Sequence, residues 1–307
     1  MSNKILVTDS LFIFDEHVKK LEKAGYEVER LDKPRASEEE LCNAVKGKVG
    51  YILGGVELIT DKIIESADEL KAIVFTGTDY KFFIPGWKKA LQKGIRIACA
   101  PGANAFAVAE FAVSVALAMQ RNLFELGRTG DKKFQEAISF KGSTLGVIGA
   151  GNIGQQIISI LHGFEPKSVL YFNRSRKNVS AEYADLETLV TNADVIFVAV
   201  PESAAGLLNK DVLARVKENS LIVSISPKSV IDLDALLPLL QNGRLRAAID
   251  WPAPSAEFEK LPLNVWFNTN DHTAYNTNEA NKTGSDMAVE SILNMLSNRP
   301  DKYEIRA

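Results

Sequence analysis

The chain has 307 residues, 46% of them apolar and 24% charged, with a formal net charge of −3. That length suffices for two domains of ordinary size, and a mildly acidic balance without a dominant basic cluster excludes general nucleic-acid binding. The longest apolar stretch, Ala103 to Met119, is short for a membrane span and contains Glu110, so it reads as a buried helix. Residues 1–102 then alternate strand and helix. Lys4–Thr8, Tyr26–Leu31, Gly50–Leu53, Lys71–Phe75 and Arg96–Ala100 are the predicted strands, with Gly25 and Gly94 where helix-ending glycines belong. His17 lies on the first amphipathic helix, where a surface role is expected.

A helix over Ala103–Arg121 leads through a polar segment, residues 126–136, into a second alternating series over residues 144–270. Its predicted strands are Thr144–Ile148, Val169–Phe172, Val195–Val200, Leu221–Ile225, Arg246–Ile249 and Val265–Asn268. Asn278–Leu296 closes the chain as an amphipathic helix, with Ala288, Ile292, Leu293 and Leu296 on one face. The pattern predicts an α/β fold of two doubly wound parallel-sheet domains, Rossmann-like and flavodoxin-like, with a cleft between them for the substrate. Met1-Ser2-Asn3-Lys4 shows no signal-peptide pattern. Cys42 and Cys99 stand in no motif, which suits a reducing, cytoplasmic setting, and the sparse Cys and His residues leave no zinc site.

Gly149-Ala150-Gly151-Asn152-Ile153-Gly154 sits between the strand Thr144–Ile148 and an apolar helical run from Gln155 to Leu161. Strand, G-x-G-x-x-G, helix is the arrangement that brings backbone N–H groups and a helix N-terminus to a pyrophosphate. Gly149 makes the tight turn, Gly151 lets phosphates approach, and Gly154 lets helix and strand pack closely. The next strand ends about 20 residues on, where an acidic residue accepts from the ribose of NAD. Here that place holds Asn173-Arg174-Ser175-Arg176-Lys177. A neutral Asn and two arginines suit a 2′-phosphate, so NADP(H) is expected over NAD(H), the other reading being a basic, solvated loop.

The chain resembles the D-isomer-specific 2-hydroxyacid dehydrogenases, the family of glyoxylate/hydroxypyruvate reductases and phosphoglycerate dehydrogenases, over essentially its whole length. The resemblance rests on Pro101-Gly102-Ala103-Asn104 with Ala107-Val108-Ala109-Glu110, on Lys141 to Gly149, and on Ala193-Asp194-Val195 with Val200-Pro201. Gly243-Arg244-Leu245 with Ala247-Ala248-Ile249-Asp250 completes it. It implies a discontinuous substrate domain, residues 1–102 plus 275–307, around an NADP(H)-binding Rossmann domain, residues 103–274. It also implies cofactor contacts from Val200, Pro201 and Asp250, the last to the nicotinamide carboxamide. A homodimer is implied as well, with a reduced arm in Asn122–Phe140.

The chemistry the resemblance implies is reversible hydride transfer between a nicotinamide and a 2-oxo or 2-hydroxy acid, served by an Arg, a His and a Glu. His272, in Asp271-His272-Thr273-Ala274, matches the family His, against the plainer reading of a loop histidine satisfied by a neighbour. His162 instead ends the helix of the glycine motif, where a cation suits the dipole. The Arg position holds Pro227, which offers no donor. The adjacent Lys228 either replaces the Arg as a point charge or is a solvated loop lysine. The Glu position holds Ser255, leaving Glu257 or Asp271 as candidates to orient the imidazole. Where the family presents G-x-G to the substrate carboxylate, this chain has Gly77-Thr78-Asp79, and Asp79 adds a negative charge there. The expected function is therefore reduction of a 2-oxo acid or related carbonyl, with His272 as proton donor and an atypical substrate site. The alternative is a non-catalytic NADP(H)-binding relative acting as a sensor or interaction protein.

Overall fold

Short apolar runs of four or five residues, each followed by a helix, build two parallel sheets. The computed structural model describes residues 2–8, 13–33, 35–130 and 137–306. The chain divides into two units, Met1–Asn104 with Thr277–Ala307, and Ala105–Asn276. Of the polar segment 126–136 and the arm 122–140, residues 131–136 lie outside the described residues.

The first unit begins β1 (Lys4–Thr8), α1 (Asp15–Lys23), β2 (Glu27–Leu31), α2 (Glu38–Ala44), β3 (Gly50–Leu53) and α3 (Asp61–Ser66). It continues β4 (Ala72–Phe75), α4 (Tyr80–Phe83), α5 (Trp87–Gln92) and β5 (Arg96–Cys99). Every pairing is parallel, in the order β2-β1-β3-β4-β5, which is the flavodoxin-like order. Side chains alternate between faces with period two. Leu6, Tyr51, Leu53, Ile73 and Ile97 pack with Leu41, Ile63, Ile64 and Ala90 from α2, α3 and α5. Ile5, Val7, Ile52, Val74 and Ala98 pack instead with Leu21 of α1 and with Ala288, Val289, Ile292 and Met295 near the C-terminus.

The second unit runs α6 (Ala105–Gln120), α7 (Leu123–Thr129), β6 (Thr144–Ile148), α8 (Asn152–Leu161), β7 (Ser168–Phe172), β8 (Glu182–Tyr183) and α9 (Leu186–Asn192). It continues β9 (Val195–Val198), α10 (Lys210–Arg215), β10 (Leu221–Ser224), α11 (Leu233–Gln241), β11 (Arg246–Ile249), α12 (Ala256–Glu259) and β12 (Trp266–Asn268). The sheet order is β12-β11-β10-β9-β6-β7-β8, all parallel, so the order reverses between β6 and β9, as in a Rossmann sheet. The two-residue edge strand β8 was not predicted. β9 is shorter than predicted because the Val200 N–H leaves the ladder for Ser226 Oγ, at 2.8 Å. α6 buries Ala109, Ala112, Val113, Ala116 and Met119 against this sheet. Among the described residues no helix is long and apolar enough to cross a membrane.

The final helix, α13 (Asn278–Leu296), returns to the first unit. It corrects the expectation for His17, which is 1% exposed rather than at the surface. His17 and Leu21, one turn apart, both face inward. The His17 Nδ1 accepts from the Phe14 N–H at 3.1 Å, which leaves Nε2 as the donor to Asp286 Oδ1 of α13, also at 3.1 Å.

Arg96 of β5 fastens the far end of the chain. Its Nε and Nη2 donate to the two Glu304 oxygens at 2.6 and 2.5 Å, and Nη1 donates to Met295 O at 3.0 Å. The guanidinium holds the Glu304 carboxyl below the ordinary glutamate value of 4.5. A depressed folded-state value means the pair stabilises fully above that pH and loses its share as pH falls through the folded-state value. Glu304→Gln is thus expected to lower stability by about 1–2 kcal/mol at neutral pH, with the difference closing in acid. Urea denaturation of both proteins across the acid range checks this, and a pH-independent difference would refute it.

Candidate functional site

The glycine turn lies where the order of the second sheet reverses. Gly149 has φ +97° and its N–H donates to Phe172 O at 2.8 Å. A Cβ on Gly149 would overlap Ala199 O and stand 2.8 Å from Val200 Cγ1. A Cβ on Gly154 would overlap Gly149 O, so α8 can approach β6 only through a glycine. Gly151 is different: a Cβ there would meet nothing within 4 Å. It occupies the N-cap of α8, where no side chain caps the helix. The first-turn N–H groups, on Asn152, Ile153 and Gly154, have no acceptor within the helix, and the positive end of the helix dipole lies behind them. The turn is shaped and charged to take a phosphate, so the residues present fit a dinucleotide.

The loop after β7 is held from several sides. Asn173 Oδ1 accepts from the Ala150 N–H at 3.2 Å, and its Nδ2 donates to Ser175 O at 2.8 Å. Asn173 thus ties the basic loop to the glycine turn. Tyr171 Oη both accepts from Lys177 N and donates to Lys177 O at 2.9 Å. The Arg176 guanidinium carbon lies 4.8 Å from the Tyr183 ring centroid, while Arg174 and Ser175 are exposed. Both arginines remain accessible on a loop whose backbone is fixed.

Ser226, buried beyond β10, joins neighbouring strand ends. Its hydroxyl donates to Val198 O at 3.0 Å and accepts from Val200 N. Pro201 opens a short 3₁₀ turn, Glu202–Ala204. Pro227 opens another, Lys228–Val230, and Lys228 is exposed with Nζ 5.4 Å from the Trp251 ring centroid. Among the described residues no carboxylate lies within 4.0 Å of that ammonium.

Asp250, just past β11, is 5% exposed. Its Oδ1 accepts from Thr269 Oγ1 and from Thr273 N, each at 3.0 Å, and Oδ2 accepts from Ala274 N at 3.1 Å. A carboxylate has about four acceptor positions, so one remains on Oδ2 for a further donor. His272 is exposed, in the loop that Asp250 holds. Asp271 Oδ1 accepts from the His272 backbone N–H at 2.7 Å, and Glu257 Oε2 accepts from Ser255 Oγ at 2.6 Å. Neither candidate orienting group is bonded to the imidazole, which has no hydrogen-bond partner among the described residues. His162 pairs with Ser180 O, away from this loop in sequence.

Gly77, Thr78 and Asp79 belong to the first unit, after β4. Asp79 caps α4, accepting from Phe82 N at 3.4 Å, and a Cβ on Gly77 would stand 2.6 Å from the outer edge of the Phe75 ring, which would have to shift. The tethers at Ser226, Trp251, Thr269 and Thr273 escaped the sequence reading. No spacing rule marks them, because each bonds a partner many residues away. Among the described residues no cluster of three or more His, Cys, Asp or Glu side chains could hold a metal ion.

Residues 112–270 match the D-isomer specific 2-hydroxyacid dehydrogenase, NAD binding domain. D-3-phosphoglycerate dehydrogenase of Methanocaldococcus jannaschii is 30% identical over 309 residues, covering 95% of this chain. The chain spans only 57% of the length of that relative. Glyoxylate reductase of Thermococcus litoralis is 30% identical over 271 residues, 81% of this chain and 79% of the relative. The structure of the TT0316 protein from Thermus thermophilus superimposes with a TM-score of 0.87 at 25% identity, covering 99% of this chain and 100% of that one. With the glycine turn, the strand order and the sequence match in agreement, the chain belongs to the D-isomer-specific 2-hydroxyacid dehydrogenase family.

Proposed function

We propose that the protein is an NADP(H)-dependent oxidoreductase that reduces a 2-oxo acid or related carbonyl. The observation that carries this reading is the open N-terminus of α8 behind Gly151, at the reversal point of the sheet. Gly149, Gly151, Asn152, Ile153 and Gly154 would hold the pyrophosphate, Arg174, Ser175 and Arg176 the 2′-phosphate, with Asn173 bracing their loop. Val200, Pro201 and Asp250 would border the nicotinamide end. NADPH held there would supply the hydride that the carbonyl carbon takes up. His272 donates a proton to the carbonyl oxygen, so that C=O becomes CH–OH. Lys228 offers the positive charge that draws the carbonyl and carboxylate oxygens into place. Gly77, Thr78 and Asp79, in the first unit, are the residues the family resemblance assigns to substrate binding, and the Asp79 charge would favour a substrate less anionic than a simple 2-oxo acid, or one bearing an amine. A homodimer, which the family resemblance implies, is part of this reading.

The test is NADPH consumption against glyoxylate, hydroxypyruvate, phenylpyruvate and uncharged or amine-bearing carbonyls. Lys228→Ala is expected to lower kcat/KM by about 10²-fold on any productive substrate. Unchanged turnover would remove Lys228 from the mechanism. No turnover across the panel, by protein that binds NADPH, would instead support the non-catalytic reading.

Cofactor choice has its own test. Replacing Arg174 and Arg176 together by alanine is expected to weaken NADPH binding by roughly 10–100-fold, the worth of one or two charge-assisted hydrogen bonds. NADH binding should barely change. Equal losses for both nucleotides, measured by fluorescence titration, would refute the assignment of these arginines to the 2′-phosphate.

A further inference from the structure

We infer that the dipeptide Asp250–Trp251 is the positioning element of the site, holding the His272 loop and the Lys228 turn in one frame; this deepens the functional reading above and rests on it. His272 and Lys228 are 44 positions apart and lie on separate segments between strands and helices. Each segment is nonetheless fastened to one of two adjacent residues. Asp250 is itself fixed to the sheet, its N–H donating to Ser224 O at 3.1 Å. Its carboxylate then takes the Thr269 hydroxyl and the Thr273 and Ala274 amides. Two of these three donors are the backbone N–H groups that immediately follow His272.

Trp251 does the same for the other segment. Its indole is fully buried, and Nε1 donates to Ser226 O at 3.1 Å, one residue before the Pro227–Lys228 turn. The face of the same ring lies beneath the Lys228 ammonium, a placement that favours one orientation of a flexible side chain. Pro227 stiffens the link between the two contacts.

The electrostatics make the Asp250 clamp strong. Among the described residues no Lys, Arg or His nitrogen lies within 4.0 Å of the buried Asp250 carboxylate. Its charge is met by the loop donors alone. Pulling the loop away would leave a buried anion with its hydrogen bonds unmade. The loop that carries an exposed imidazole is therefore bound to the sheet by charge-assisted bonds, which fixes the His272 backbone while its ring stays accessible.

Asp250→Asn tests this, because it keeps the volume while turning an N–H₂ toward at least one donor. Thr269→Val removes a single donor without changing the shape, and guards against a folding failure in the first variant. Amide hydrogen exchange at Thr273 and Ala274, in cofactor-free protein, is expected to quicken about tenfold or more in Asp250→Asn and by a smaller factor in Thr269→Val. In turnover, kcat of Asp250→Asn is expected to fall about tenfold or more, and Asp250→Asn with His272→Ala should be no slower than His272→Ala alone. Trp251→Phe, which removes the Nε1 donor along with part of the buried ring, should lose turnover that is likewise not additive with Lys228→Ala. Unchanged exchange in both loop variants, or additive losses in the double variants, would overturn the inference. Full turnover by His272→Ala would overturn the functional reading instead, and the exchange rates would still decide whether Asp250 holds the loop.

Discussion

Turnover by the His272→Ala variant is expected to fall by about 10²–10⁴-fold, the usual contribution of a placed proton donor. Two features argue for the upper part of that range. His272 is the one histidine of the three in this chain whose ring is exposed and unbonded among the described residues. His17 is buried between α1 and α13, and His162 is held by Ser180 O. The missing Arg also leaves Lys228 as the sole cation assigned to the substrate, so less charge stabilisation remains to support a proton-free path. NADPH affinity should stay within about twofold of the parent, because ring removal leaves every Asp250 bond in place. A kcat loss with an unchanged nucleotide dissociation constant would establish the role. Parental turnover by His272→Ala would end it.

The sequence made some of this visible and hid the rest for physical reasons. The three motif glycines were legible because each answers a local backbone requirement, and strand, turn and helix are consecutive in the chain. The Asn278–Leu296 helix was legible from its apolar face, and the structure gives it the same ends. His17 was misread because a charged amphipathic helix looks solvated from its own residues. Its partner, Asp286, lies 269 positions away. The same distance blindness hid the clamp. Asp250 looks like a residue free to meet a cofactor until the Thr273 and Ala274 amides are seen on its carboxylate. Asp271 looked like an imidazole partner because it precedes His272, and Glu257 because it lies two residues past the family Glu position, yet each satisfies a closer donor, the His272 N–H and the Ser255 hydroxyl. Short-range hydrogen bonds of Asp and Ser compete with the longer-range roles that spacing suggests.

Gly154→Ala and Gly151→Ala should separate the two demands on the glycine turn. In Gly154→Ala the new methyl would overlap the Gly149 carbonyl oxygen and stand 2.9 Å from its carbon. Gly149 cannot retreat: its N–H is bonded to Phe172 O, and the Ala199 carbonyl closes its other side. α8 must then lift off β6, where Ile157, Ile158 and Leu161 pack with Leu145 and Val147. Overpacking of this kind costs roughly 3 kcal/mol or more, a fall in Tm on the order of 5–10 °C, and dinucleotide binding should be lost with it. Gly151→Ala meets no protein atom within 4 Å, and its φ of −80° suits any residue. Its Tm should match the parent. The methyl would nevertheless stand at the N-terminus of α8, in the space that phosphate oxygens need, so NADPH affinity should fall about 10–100-fold. Thermal melts and nucleotide titrations of both variants read the two effects independently. Parental affinity in Gly151→Ala would show that the open helix end is not where the phosphates sit, and with it would go the observation on which the proposed function rests.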